Sequence, residues 1–222
     1  MVTTAAFADD IALVIIGKYI EDIQNLFKKT LSIYTPWMDD SGLKIAKHKT
    51  EAVLISSRKK RETLKLQVGD CEIKSQPSVR YLGVMIDARL CFKDQVEHTS
   101  KKASAVGEAL SRLMPNLGGP KPRRRALLSS VVMSILTYGI VIWGSALQLQ
   151  ECQRRIYPVC RQMALRVASG FRTVSRDAAH VISGLLPIEI LAEEQRRIYR
   201  HRNSRVADID DCRKRERQKS LQ

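Results

Sequence analysis

Paired cysteine motifs are missing from this chain. Its five cysteines, Cys71, Cys91, Cys152, Cys160 and Cys212, are odd in number and nowhere spaced as Cys-x-x-Cys, and its four histidines are scattered. Such usage argues against a structural zinc site and a disulfide scaffold, and fits reduced intracellular thiols. The N-terminus lacks a basic segment followed by an apolar one, so no secretory signal is read there. Carboxylates are scarce as well: 23 acidic against 38 basic side chains leaves a net charge of +15. That excess favours polyanionic partners, nucleic acid first and an anionic membrane surface second. No internal repeat is visible. What is present is apolar content of 44% over 222 residues, enough for one large or two small folded domains.

The pattern changes near residue 90. Before it, apolar runs at 3–8 and 11–16 read as two strands, and Ile20, Ile23, Phe27, Leu31 and Tyr34 recur at helical spacing within a helix over 19–40. Residues 51–57 read as a strand, 64–74 as a strand, turn and returning strand about Gly69-Asp70, and 79–86 as one further strand. Beyond residue 90 the periodicity predicts helices over about 92–114, 123–147, 151–168, 177–183 and 187–205. The uncharged stretch 126–150 reaches the roughly 20 residues of a membrane span. Its serines, threonine, glutamines, Gly139 and Gly144 instead favour a helix buried in a protein core.

Asp9 and Asp10 lie between the first two apolar runs, at the expected tip of a hairpin. Adjacent carboxylates in a turn offer the hard oxygen ligands that Mg²⁺ prefers, and a metal pair is one solution to phosphoryl transfer. Most such pairs are solvated turn residues, so the flanking blocks matter. Read in order, AFADDIALVI, GLKIAKHKTEAVLIS, VRYLGVMIDARLCF, LSRLMPNLGGPKPRRR, SILTYGIVIWG and ISGLLPIEILAEEQRR resemble the reverse transcriptases of non-LTR retrotransposons, most of all the insect type-1 elements. The resemblance covers about residues 5–200.

The resemblance implies an α+β fold. Residues 1–90 would be a partial right-hand polymerase palm, 91–205 an all-helical thumb and connection, and 206–222 a charged, disordered tail. The implied activity is RNA-directed DNA synthesis with an RNA template, a DNA primer and deoxynucleotides, in the nucleus or cytoplasm. Asp9 and Asp10 would bind catalytic Mg²⁺, and Lys49 would approach the nucleotide phosphates. Lys49 also fits a solvated basic loop with Lys44 and Lys47. Tyr81, Leu82 and Gly83 would support the primer end, or form an ordinary buried strand. Lys121, Arg123, Arg124 and Arg125 would touch phosphates, or cap a solvated helix end, and Arg196, Arg197, Arg200, Arg202 and Arg205 would act likewise. The family's third carboxylate, nucleotide-pocket loop and fingers cannot fit in the six residues before Phe7, so the chain alone is expected to be inactive. The competing reading is a basic nucleic-acid-binding remnant with no chemistry.

Overall fold

A computed structural model describes residues 1–58, 62–203 and 209–221. Lys59, Lys60, Arg61 and Arg205 lie outside the described residues. The chain divides into two compact units, Met1–Leu90 and Cys91–Gln222.

The first unit is mixed α and β. Strands β1 (Val2–Phe7) and β2 (Asp10–Ile15) form an antiparallel hairpin, followed by helix α1 (Ile20–Asp40) and a 3-10 turn at Lys47–Lys49. Two more antiparallel hairpins follow, β3 (Lys65–Val68) with β4 (Cys71–Lys74) and β5 (Ser78–Tyr81) with β6 (Val84–Asp87). The three hairpins are separate two-stranded ladders, not one sheet. The apolar stripe of α1 explains how the first two cohere. Ile20, Ile23, Phe27 and Leu31 meet Leu13 and Ile15 of β2, Leu66 and Val68 of β3, and Ile45 in one small core. At its start the Asp22 carboxylate accepts from the Tyr19 N–H at 3.3 Å, a cap for the first turn.

Two strand expectations are corrected. Residues 51–57 form no strand. A lone parallel bridge joins Val53 to Gln76, the Gln76 N–H donates to Ala52 O at 2.7 Å, and the Ser56 N–H donates to Ala88 O at 3.1 Å. The segment is extended but bonds different neighbours at its two ends, so no ladder propagates. Residues 79–86 form a hairpin and not one strand. Leu82 (φ 45°) and Gly83 (φ 81°) both take left-handed backbone between β5 and β6. That pair of signs suits a two-residue turn whose twist matches the flanking strands. An added Cβ at Gly83 is strained there, so Gly83→Ala is expected to destabilise this unit by about 1 kcal/mol, read as a lower urea midpoint.

The second unit is helical. It contains α2 (Lys93–Ser111), α3 (Pro122–Thr137), α4 (Ile140–Trp143), α5 (Gln150–Ala168), α6 (Arg176–Ser183), α7 (Ile188–Asn203) and α8 (Ile209–Leu221). Its core is built from Val96 and Ala103 of α2, Val132 and Leu136 of α3, Trp143 of α4, Ile156 and Met163 of α5, and Ile188 of α7. Small residues on α2 permit close packing: a Cβ at Gly107 would come within 3.2 Å of Met163 Cε.

The single helix expected over 123–147 is broken. Gly139 adopts φ 63°, and the segments Pro122–Thr137 and Ile140–Gln148 bend by 55° across it. The left-handed residue cannot continue an α-helix, and glycine takes it without steric cost. No single helix among the described residues is long and apolar enough to cross a membrane; only the bent pair passes on length and composition together. Val132, Leu136, Ile140 and Trp143 from this stretch are wholly buried in the unit's own core.

The stretch 206–222, expected to be a disordered tail, carries α8. This helix has almost no apolar face, and charge replaces it. Glu216 is buried and accepts from Arg197 Nε at 2.5 Å and Lys219 Nζ at 2.8 Å, while Arg217 lies 3.4 Å from the buried Glu194 of α7. Lys219 first, and then Arg197, hold the Glu216 carboxyl below its usual value.

Among the described residues no cysteine is in a disulfide, and Cys152 and Cys160 are buried. Burial pushes the Cys160 thiol up to about 12, far from the thiolate form that reacts. A thiol reagent at mildly alkaline pH is therefore expected to label exposed Cys71 quickly and Cys160 only on unfolding, as followed by mass spectrometry.

Candidate catalytic turn and basic surface

The hairpin places Asp9 and Asp10 by simple register. Phe7 pairs with Asp10, leaving Ala8 and Asp9 as a two-residue turn. Such a short connection requires positive φ at its first central residue, usually glycine. Here Ala8 supplies it with φ 53°. A non-glycine residue in that region costs roughly 1 kcal/mol, and local strain of this kind concentrates at functional sites.

The pleat then decides which way each carboxylate faces. Leu13 and Ile15 point to the core around α1, and Thr4 Oγ1 on the same face meets Tyr34 Oη of α1 at 2.6 Å. Asp10 lies on the opposite face with Phe7 and Val14. Both aspartates are exposed, and Phe7 remains 66% exposed beside them. The turn therefore projects from a backed hairpin with an open apolar surface next to its acids.

Lys49 is exposed in the 3-10 turn Lys47–Lys49. Its neighbour Lys47 reaches the Gly69-Asp70 turn, with Nζ 3.6 Å from the Asp70 carboxylate. Tyr81 is half-buried at the end of β5, while Leu82 protrudes at the adjacent turn. The acid turn, Lys49 and the Tyr81–Gly83 turn thus sit on three different local structures of the first unit. Among the described residues no group of three or more His, Cys, Asp or Glu side chains could hold a metal ion. Two carboxylates are the right donor type for Mg²⁺ but too few for a metal pair.

The basic run of the second unit separates into two roles. Lys121 precedes α3, Pro122 occupies its first turn, and Lys121, Arg123 and Arg124 are exposed. Arg125 is not available to phosphate. It is 3% exposed, and its guanidinium donates to the carbonyls of Pro115 (2.5 Å), Pro120 (2.8 Å) and Arg166 (3.0 Å). The reason is helical phase: Arg125, Ser129, Val132 and Leu136 form the buried stripe of α3. Likewise Arg197 is committed to Glu216 and Ser220, whereas Arg200 and Arg202 are exposed. Sequence reasoning missed the clamp made by Arg125 and the strained Ala8. The 4-3-4 spacing of the stripe signals the first, and the two-residue separation of the strands signals the second.

No family model matches the chain, and no solved structure matches it. Six curated proteins do, three of which illustrate the match. The putative 115 kDa protein in type-1 retrotransposable element R1DM of Drosophila melanogaster is 25% identical over 190 residues, covering 85% of this chain and 18% of that protein. The retrovirus-related Pol polyprotein from type-1 retrotransposable element R1 of Nasonia vitripennis is 24% identical over 194 residues, covering 83% of this chain and 57% of the relative. A second Nasonia vitripennis Pol polyprotein, from element R1 2, is 21% identical over 207 residues, covering 90% and 50%. Its homologues are Pol polyproteins of type-1 R1 retrotransposons. The chain spans about half the length of the two Nasonia relatives and under a fifth of the Drosophila one. The matched stretch extends across most of both units. Most of the chain is therefore retrotransposon-related in sequence, and not that of a chance basic protein.

Proposed function

We propose that this chain is part of a retrotransposon reverse transcriptase, with Met1–Leu90 contributing to the polymerase palm and the helical unit to the thumb and connection. The observation that carries the reading is the exposed Asp9-Asp10 pair on a tight, strained hairpin in a chain homologous to Pol polyproteins. In the assembled enzyme Asp9 and Asp10 would hold Mg²⁺ together with a carboxylate from outside this chain, and the metal would supply the charge stabilisation of nucleotidyl transfer. Asp9 and Asp10 would hold and orient the metal, Lys49 would donate a proton toward the pyrophosphate leaving group, and the Tyr81-Leu82-Gly83 turn would support the primer end. RNA template, DNA primer and deoxynucleotides are the corresponding partners, within the nucleus or cytoplasm. Alone, the chain is expected to lack polymerase activity. The test is a chimera of an R1 Pol polyprotein in which this chain replaces the matching region, assayed for Mg²⁺-dependent primer extension on an RNA template.

A second reading rests on a separate observation. Lys121, Arg123 and Arg124 are exposed at the start of α3, whose first turn carries no acid. Cations at that end oppose the helix dipole, a penalty that a bound phosphate relieves. On this reading the chain grips nucleic acid without catalysing, and its affinity falls steeply with salt.

A further inference from the structure

Two loops are clamped together at one end of the helical unit. One runs from α2 to α3 over residues 112–121, the other from α5 to α6 over 169–175. Asn116 Nδ2 donates to Gly170 O at 3.1 Å. Arg125 bridges Pro115 O of the first loop and Arg166 O at the end of α5. Arg161, within α5, donates to Arg172 O at 2.5 Å and Val174 O at 2.7 Å. Ser169 begins the second loop in left-handed backbone, φ 54°. These bonds fix the loop backbones through buried or half-buried side chains. The side chains not used for clamping are displayed on a rigid base.

Those displayed side chains are of two kinds. Phe171 is 71% exposed and Leu117 87% exposed. Lys121, Arg123, Arg124 and Arg172, on the same loops and the start of α3, are exposed as well. Residues 109–126 and 161–176 contain no Asp or Glu, so no carboxylate within either loop neutralises this end. An aromatic ring standing in water on clamped loops that carry several cations is poor for stability but suits a ligand with flat apolar faces and regular negative charge.

We propose that these two loops form a site for single-stranded nucleic acid, in which Phe171 stacks on an unpaired base and Arg172, Lys121, Arg123 and Arg124 take neighbouring phosphates. The proposal extends the nucleic-acid part of the reading above and does not depend on its catalytic part. A duplex offers the same phosphates but keeps its base faces stacked, so the ring gains a partner only where bases are unpaired. An anionic bilayer is less suited, because two or three apolar side chains on clamped loops bury little surface in it.

Fluorescence polarisation of the full chain with a labelled RNA of about 12 nucleotides, single-stranded or as a duplex, tests this. Single strands are expected to bind more tightly. Phe171→Ala should weaken single-strand binding about tenfold and leave duplex binding within about twofold, whereas Phe171→Trp should retain both. Arg124→Ala should weaken both and reduce the salt slope by about one, measured between about 50 and 200 mM salt. Single-strand affinity unchanged by Phe171→Ala overturns the proposal, and if duplex binding persists the polymerase reading stands. Phe171-dependent binding to vesicles containing anionic lipid, with single-strand affinity indifferent to Phe171, overturns it in favour of a membrane.

Discussion

Changing Asp9 or Asp10 to Asn in the R1 chimera is expected to cut primer extension by on the order of 10²–10³-fold or more. The substitution keeps the hairpin. Both side chains are exposed, neither is needed by the core, and Asn is as tolerant of tight turns as Asp. What it removes is negative charge and a carboxylate oxygen at an acidic turn that stands on a backed hairpin. Unchanged protein yield and circular dichroism would confirm that structure is intact, so the loss would be chemical. Extension surviving in a chimera with both substitutions would sink the assignment of the turn. Asp39 and Asp40 provide an internal comparison. They are also adjacent and acidic, but they end α1, and changing them to Asn should leave extension near its starting level.

Arg125→Ala is expected to destabilise the helical unit by roughly 3 kcal/mol, a large share of a domain's total. The guanidinium is buried against three backbone carbonyls from two segments, Pro115 and Pro120 of the α2–α3 loop and Arg166 of α5. Removing it leaves those oxygens without their charged donor, and no alanine can replace it. Each buried acceptor left unmade costs about 1–3 kcal/mol, less where water enters. Lysine carries one ammonium in place of a planar fork and cannot span the same set, so Arg125→Lys should recover only part of the loss. Urea unfolding followed by tryptophan fluorescence is a suitable measurement, because Trp143 is buried in this unit's core and Trp37 is exposed in the other unit. By contrast Arg123→Ala and Arg124→Ala should stay within about 0.5 kcal/mol of the unaltered chain and act on nucleic-acid affinity instead. Equal destabilisation by all three substitutions would contradict the division of roles.

Much of the architecture was legible along the chain because it depends on local periodicity. The helix over Ile20–Asp40 follows from apolar residues at three- and four-residue steps, and the β3–β4 turn from Gly69-Asp70 between alternating strands. The acid turn was legible for the same reason, since two short apolar runs separated by two acids leave little else to form. Elements set by one or two left-handed residues were harder. Gly83 splits one apolar run into a hairpin, and Gly139 splits one long helix, yet either glycine could also lie within a regular element. The choice is made by what packs on each side. Trp143 and Ile140 can enter the core only if the chain turns at Gly139.

The charged residues show the limit most clearly. Three consecutive arginines look alike in sequence, but helical phase and the carbonyls of distant loops bury one and expose two. A tail with no apolar face looks disordered until Glu216 and Glu194 meet the arginines of the facing helix. The sequence by itself determined the basic balance, the acid turn on its hairpin and the kinship with R1 Pol proteins, because each is carried by residue identity and short-range order. Only the tertiary structure decided which cations are structural clamps and which face solvent. It also decided that the loop carrying Phe171 is bonded to the loop before α3, through Asn116 and Gly170, because such pairings join segments far apart in the chain.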